Sequence, residues 1–153
     1  MAMKLSSQQT IDRSCEDVFV AVTDFGSFEL LLRDMGVKVT RLDGPVPPEV
    51  GARWAAKFNW QKRSFDAEAE LVMLEPNVCY GVESRTEGIE CMAVVDVEAL
   101  SANQTRLFVS FDLIASTFKS KIFLKTLSVT SSSINRRLDK RLESLARRIE
   151  KRP

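Results

Sequence analysis

The stretch FKSKIFLKTLSVTSSSINRRLDKRLESLARRIE, residues 118–150, decides the fold of this 153-residue chain. Within it Phe123, Leu127, Ile134, Leu138, Leu142, Leu145 and Ile149 recur at helical spacing, which lays one apolar stripe along a helix and predicts that the stripe is buried. Midway, Val129-Thr130-Ser131-Ser132-Ser133 sets small hydroxyl residues where the stripe should carry bulk. An underfilled core loses about 24 cal/mol per Å³ of void. The gap therefore predicts a helix whose soft centre, at Ser131, borders a cavity. A continuous helix of this length spans about 50 Å, so its last turns are expected to overhang the surface it covers, unless its first turns are not helical.

What precedes the helix alternates with period two. Lys4 to Ile11 reads as an edge-prone strand. Ser14 followed by Asp17 resembles a capping box, and Val18, Phe19, Val22 and Phe25 supply the apolar side of a short helix. Gly26-Ser27 breaks it, and Phe28 to Met35 forms a second short helix stopped by Gly36. Val37 to Leu42 is a strand, and Gly44-Pro45-Val46-Pro47-Pro48 is a stiff loop. Strands then dominate. Trp54, Ala56, Phe58 and Trp60 share one face of Arg53 to Trp60, and Phe65, Ala67, Ala69, Leu71 and Met73 share one face of the strand that runs to Leu74. Tyr80, Val82 and Ser84 face inward from Val78 to Arg85. Ile89 to Leu100 follows, and the last strand turns Leu107, Val109, Phe111 and Leu113 inward. The order is strand, two helices, a six-strand meander and a helix.

Composition bounds the function. A chain of this length and 44% apolar content suits one domain, 1–153. From Ile134 onward eight basic residues face three acids, so the tail carries +5 and, the net charge being +1, the remainder −4. The N-terminus has no apolar run of the signal-peptide kind and no window approaches the ~18 apolar residues of a membrane span, which predicts a cytoplasmic protein. Cys15, Cys79 and Cys91 are odd in number and lack C-x-x-C spacing, so they read as small apolar residues kept reduced. Histidine is absent, which removes the commonest general base and metal ligand and every Ser-His or Cys-His pair.

Seven strands at ~4.8 Å spacing make a sheet roughly 30 Å across, and its aromatic face needs a cover that only the final helix is long enough to give. Trp54, Phe58, Trp60, Phe65, Tyr80, Phe111 and Phe123, with Val82, Val109, Leu127 and Ser131, are the expected lining between them. The small residues Ala56, Ala67, Ala69, Ala93 and Ser131 either leave that space unfilled or simply admit neighbouring aromatics in a dense core.

The layout resembles the START-like (SRPBCC) superfamily, whose helix-grip fold is an α+β arrangement of a curved seven-stranded antiparallel sheet wrapped around a long C-terminal helix, with two short helices after the first strand. The resemblance rests on Ile11-Asp12-Arg13-Ser14 leading into Asp17-Val18-Phe19-Val20-Ala21-Val22-Thr23-Asp24-Phe25, on Val50-Gly51-Ala52-Arg53-Trp54 and on Val72-Met73-Leu74-Glu75-Pro76-Asn77. It implies a hydrophobic cavity and a hydrophobic or amphipathic small-molecule ligand, such as a lipid, an isoprenoid or a polyketide-like compound. No cofactor, metal or catalytic residue is assigned. Two rivals remain: a cofactor-free polyketide cyclase or dehydratase, which a buried carboxylate facing the cavity would favour, and an interaction module using the basic helix, which an occluded cavity would favour.

Three further features have plain readings. Glu83, Arg85, Glu87 and Glu90 around one hairpin read as a solvated rim of exposed ion pairs. Tyr80, the sole tyrosine, could orient a ligand carbonyl but more often such a hydroxyl satisfies a backbone carbonyl. The basic tail has no interleaved aromatics, so no nucleic-acid partner is expected; the absence of a spanning segment leaves transient contact with a membrane surface open.

Overall fold

The computed structural model describes residues 2–43, 48–60 and 62–152. Residues 44–47 of the Pro-rich loop and the Trp60 side chain lie outside the described residues. Seven strands, β1 (Ala2–Ile11), β2 (Lys38–Asp43), β3 (Arg53–Trp60), β4 (Arg63–Glu75), β5 (Cys79–Thr86), β6 (Ile89–Ser101) and β7 (Gln104–Ala115), form one sheet. Every pairing is antiparallel, in the order β1-β7-β6-β5-β4-β3-β2. The first strand is an edge, as its polar pattern implied. Helices α1 (Cys15–Val22) and α2 (Phe25–Asp34) follow β1, and α3 (Phe118–Val129) and α4 (Ser131–Glu150) follow β7. The expected order and fold class hold.

Local chemistry accounts for the boundaries. Ser14 caps α1 by accepting from the Asp17 N–H. The second helix starts three residues earlier than expected: Asp24 accepts from the Ser27 N–H, so Gly26 and Ser27 sit inside the first turn instead of breaking the chain. Phe25 consequently opens α2 and does not belong to α1. In β4 the pairing shifts register between Leu71 and Met73, a bulge that reverses the alternation. Met73, expected inward, is half-exposed, and Leu74 packs on the core instead.

The C-terminal helix is two helices. Thr126, Ser128 and Thr130 direct their hydroxyls back to the carbonyls of Ile122, Lys125 and Leu127. Such back-bonding competes with the backbone ladder and bends helices, and the break falls at Thr130. Thr117 and Ser120 cap the start of α3 reciprocally. The β5–β6 turn presses against that cap: Gly88 has φ +79°, and a Cβ there would lie 2.7 Å from Thr117 Oγ1. Gly88 is thus required twice, for its conformation and for its lack of a side chain.

Helix α4 runs alongside β1. The Ser6 N–H donates to Asn135 Oδ1, Arg147 donates to the Thr10 carbonyl, and the Asp12 N–H donates to Glu150 Oε2. Six strand residues rise ~20 Å and fifteen helical residues ~22 Å, so the two elements keep step. The expected overhang is therefore absent. Ile149 is 2% exposed, Arg13 donates to the Glu150 carbonyl, and Arg152 lies 3.7 Å from Asp24. Two cores result. The larger joins α1, α4 and the middle of the sheet around Ile11, Val18, Leu71, Leu107 and Ala146, and the smaller lies under α3 around Met3, Ile89, Ala115 and Leu124.

Candidate functional site

The stripe Leu138, Leu142, Leu145 of α4 and the series Phe25, Phe28, Leu31 of α2 face the inner side of β5, β6 and β7 without closing on it. Between them lies a cavity of about 590 Å³, within the range of small-molecule sites. Tyr80, Val82, Val109 and Phe111, all expected from the strands, line its floor, and Ala93 leaves room between them. Arg141, Ser144 and Arg148 form its polar margin on α4.

The remaining expected residues are elsewhere. Phe58, Phe65, Phe123 and Leu127 line a second cavity, about 570 Å³, roofed by α3 and continued by Ile89, Leu113 and Ile134. Phe58 stacks on Phe65 at 5.3 Å, and Phe123 approaches Phe65 at 6.0 Å. The single expected lining is thus divided between two chambers, because the strands that carry its two halves lie at different places along the sheet. Two residues line neither chamber. Trp54 is a buried strut: its Nε1 donates to Glu29 Oε1 at 2.6 Å and its ring meets Phe25 at 5.7 Å, which holds α2 over the sheet. Ser131 is the first residue of α4, next to the break, and lines neither of these two chambers.

Sequence reasoning missed the α2 wall, although Phe25, Phe28 and Leu31 share a three-residue repeat that could have signalled it. It also missed Arg141, Ser144 and Arg148, which sit beside the Leu138–Leu142–Leu145 stripe and so reach the cavity margin.

Electrostatically the first cavity is simple. Tyr80 donates its hydroxyl proton to the Val22 carbonyl at 2.8 Å and meets Phe25 edge-on at 5.2 Å. Burial pushes its phenol well above its ordinary range. It therefore stays neutral with its proton committed to the backbone, the plainer of its two readings. Arg141 contacts Met35 Sδ at 3.3 Å, and neither Arg141 nor Arg148 has a carboxylate within ion-pair distance among the described residues. No Asp or Glu among the described residues lines the chamber. The space can hold an apolar body and offer cations to one end of it.

The other titratable groups are accounted for outside the cavity. Glu83 and Glu90 pair with Arg85 at 2.9 and 3.8 Å on the solvated rim, and Glu87 pairs with Arg63 at 2.8 Å at the half-exposed margin of the second chamber. The cysteines are free. Burial raises all three thiols, aided by Glu16 at Cys15, by Asp96 and Glu75 at Cys79 and by Asp112 at Cys91, which leaves them protonated and weakly nucleophilic. Among the described residues no group of His, Cys, Asp or Glu is arranged to hold a metal ion.

No family model matches the sequence, and no match was found among curated proteins. Solved structures do match. The ZhuI aromatase/cyclase from Streptomyces sp. R1128 superimposes with a TM-score of 0.70 at 10% identity, over 99% of this chain and 96% of that one. Norcoclaurine synthase from Thalictrum flavum, in complex with dopamine and hydroxybenzaldehyde, gives 0.69 at 11% identity, over 100% of this chain and 90% of that one. A third match, TTHA0849 from Thermus thermophilus, gives 0.68 at 12% identity, over 96% and 97%. Identities this low speak for architecture alone, and with the sheet order and the helix positions they settle it: the chain has the helix-grip fold, a curved seven-stranded antiparallel sheet against a long C-terminal helical segment.

Proposed function

We propose that this protein binds a hydrophobic or amphipathic small molecule in the chamber between α2, α4 and β5–β7. The observation that carries this reading is an apolar space of about 590 Å³ whose only charged lining residues, among those described, are Arg141 and Arg148. An apolar body would pack on Val82, Val109 and Phe111, and a polar end would face Arg141, Ser144 and Arg148. The fold-mates lend support, since one is a cyclase and another holds two small aromatic molecules.

Binding is favoured over acid–base catalysis. A cyclase or dehydratase working by proton transfer needs a group that gives or takes a proton near neutrality. The described lining offers no carboxylate, and the Tyr80 proton is held by Val22. Its open margin also counts against a pure interaction module.

The test is a cavity-filling change. Ala93→Phe should occupy the floor between Val82 and Phe111, keep the melting temperature within a few degrees, and weaken binding of an apolar fluorescent dye at least about tenfold, the loss expected when the space for a large apolar group disappears. Native mass spectrometry of protein from its own host should show an adduct that the variant lacks. A parent protein that binds no dye and carries no adduct would overturn the reading.

A further inference from the structure

Helix α3 is apolar on two opposite faces. Its inner face turns Ser120, Phe123 and Leu127 to the second chamber and Leu124 into the smaller core, with Ser120 4% and Leu124 0% exposed. At 100° per residue, Phe118, Ile122, Lys125 and Val129 fall within an arc of roughly 60° on the other side. There Phe118 is 81%, Ile122 53% and Val129 83% exposed. None of the described residues covers them. Lys119 and Lys121 flank this stripe and Lys125 lies within it, and from Leu113 to Leu138 the chain has no acidic residue. The carboxylates of the adjoining β5–β6 turn are already engaged, Glu87 by Arg63 and Glu90 by Arg85.

We infer that the outer face of α3 docks on an anionic lipid surface. Exposed aromatic and aliphatic side chains framed by lysines are what an interfacial helix presents to headgroups and upper acyl chains, and each lysine near such a surface is attracted to its negative potential. A second copy of the chain fits the face less well. Symmetric pairing would bring two sets of lysines together, and three apolar side chains expose only a few hundred Å², short of the roughly 800 Å² per partner of a stable interface. The docking is peripheral, since no helix among the described residues is long and apolar enough to cross a membrane. It is independent of ligand binding under α4, and it sets the chamber under α3 against the bilayer.

Co-sedimentation with vesicles tests it. The full chain should pellet with vesicles of equal parts phosphatidylcholine and phosphatidylserine, remain in solution with phosphatidylcholine alone, and be released by high salt. Phe118→Ser should lower the partition coefficient about tenfold, and the combined Lys119→Gln, Lys121→Gln, Lys125→Gln variant about a hundredfold, near fivefold per charge. Leu30→Ser, which removes a 61%-exposed leucine from α2, should change nothing. All these side chains except Lys119, at the margin of the second chamber, stand clear of the cavities and cores, and circular dichroism confirms that each variant is folded. Absence of vesicle binding, equal binding to both vesicle types, or an equal loss with Leu30→Ser would overturn the inference. So would a concentration-dependent dimer in sedimentation velocity that Phe118→Ser abolishes, since that would assign the face to a second copy.

Discussion

Helices α3 and α4 are consecutive, share one apolar stripe in the sequence, and roof two chambers of nearly equal size, yet they differ in what their outer sides carry. The outer side of α4 is charged, with Arg136, Arg137, Asp139, Lys140 and Glu143 in water, and one buried face satisfies the helix. The outer side of α3 repeats the apolar character of its inner side. A stripe at helical spacing shows that one face is buried; only the residues between its members show whether the fold exhausts the helix's need for a partner.

That contrast can be broken most forcefully by removing α4. A chain ending after Ser133 loses Leu142, Ala146 and Ile149 from the main core, each large apolar side chain being worth about 1.5–3 kcal/mol, and should give no dispersed amide NMR spectrum. Removing residues 148–153 should also lower the melting temperature, because Ile149 and Glu150 are anchored. The contrast sharpens at single residues. Ile149→Ala should cost about 2–5 kcal/mol in urea denaturation, while Val129→Ala, at 83% exposure, should stay within about 0.5 kcal/mol.

Tyr80→Phe removes the hydrogen bond to Val22 and leaves its carbonyl without that donor, at a cost of about 1–2 kcal/mol. Dye binding should survive, since the ring remains; its loss together with a catalytic rate would favour the enzyme reading. A pH-dependent effect concerns Asp24, whose carboxyl is held below the usual range by the Ser27 side chain, then the Ser27 N–H, with Arg152 assisting. A depressed carboxylate pKa stabilises the fold above the unfolded-state value and is lost as pH falls through the folded value. Asp24→Ala should therefore cost about 1 kcal/mol at neutral pH, and the difference from the parent in thermal melts should shrink as the pH falls below the ordinary carboxylate range.

The strands were legible because period-two alternation is local. Trp54, Phe58, Phe65 and Tyr80 declare their faces within eight residues of chain, and the Ser14 cap and the Glu87-Gly88 turn carry their own chemistry. The bulge between Leu71 and Met73 was not legible, since a one-residue slip leaves no mark in a run of apolar residues. The hydroxyl run at 130–133 is conspicuous in the sequence, but its effect is not: Thr130 ends a helix through back-bonding, and the run lines neither of the two chambers. The division of the lining into two chambers was beyond local reading altogether. It depends on where the strands that carry its two halves lie along the sheet, and on α2, held by the Trp54–Glu29 bond across twenty-five residues, walling only the first.

The bonds that join Asn135 and Arg147 to β1, and Glu150 to Asp12 just past its end, also govern how copies of this chain can meet. A sheet with two bare margins can grow by adding strands without end. Here one margin is occupied by α4, and at the other Arg33 takes the Val39 carbonyl at 2.8 Å. An incoming strand would have to displace charged side chains at either end, as natural sheets arrange against fibre growth. Polymerisation through the backbone is thereby discouraged, and encounters with other molecules are directed to the faces of the helices.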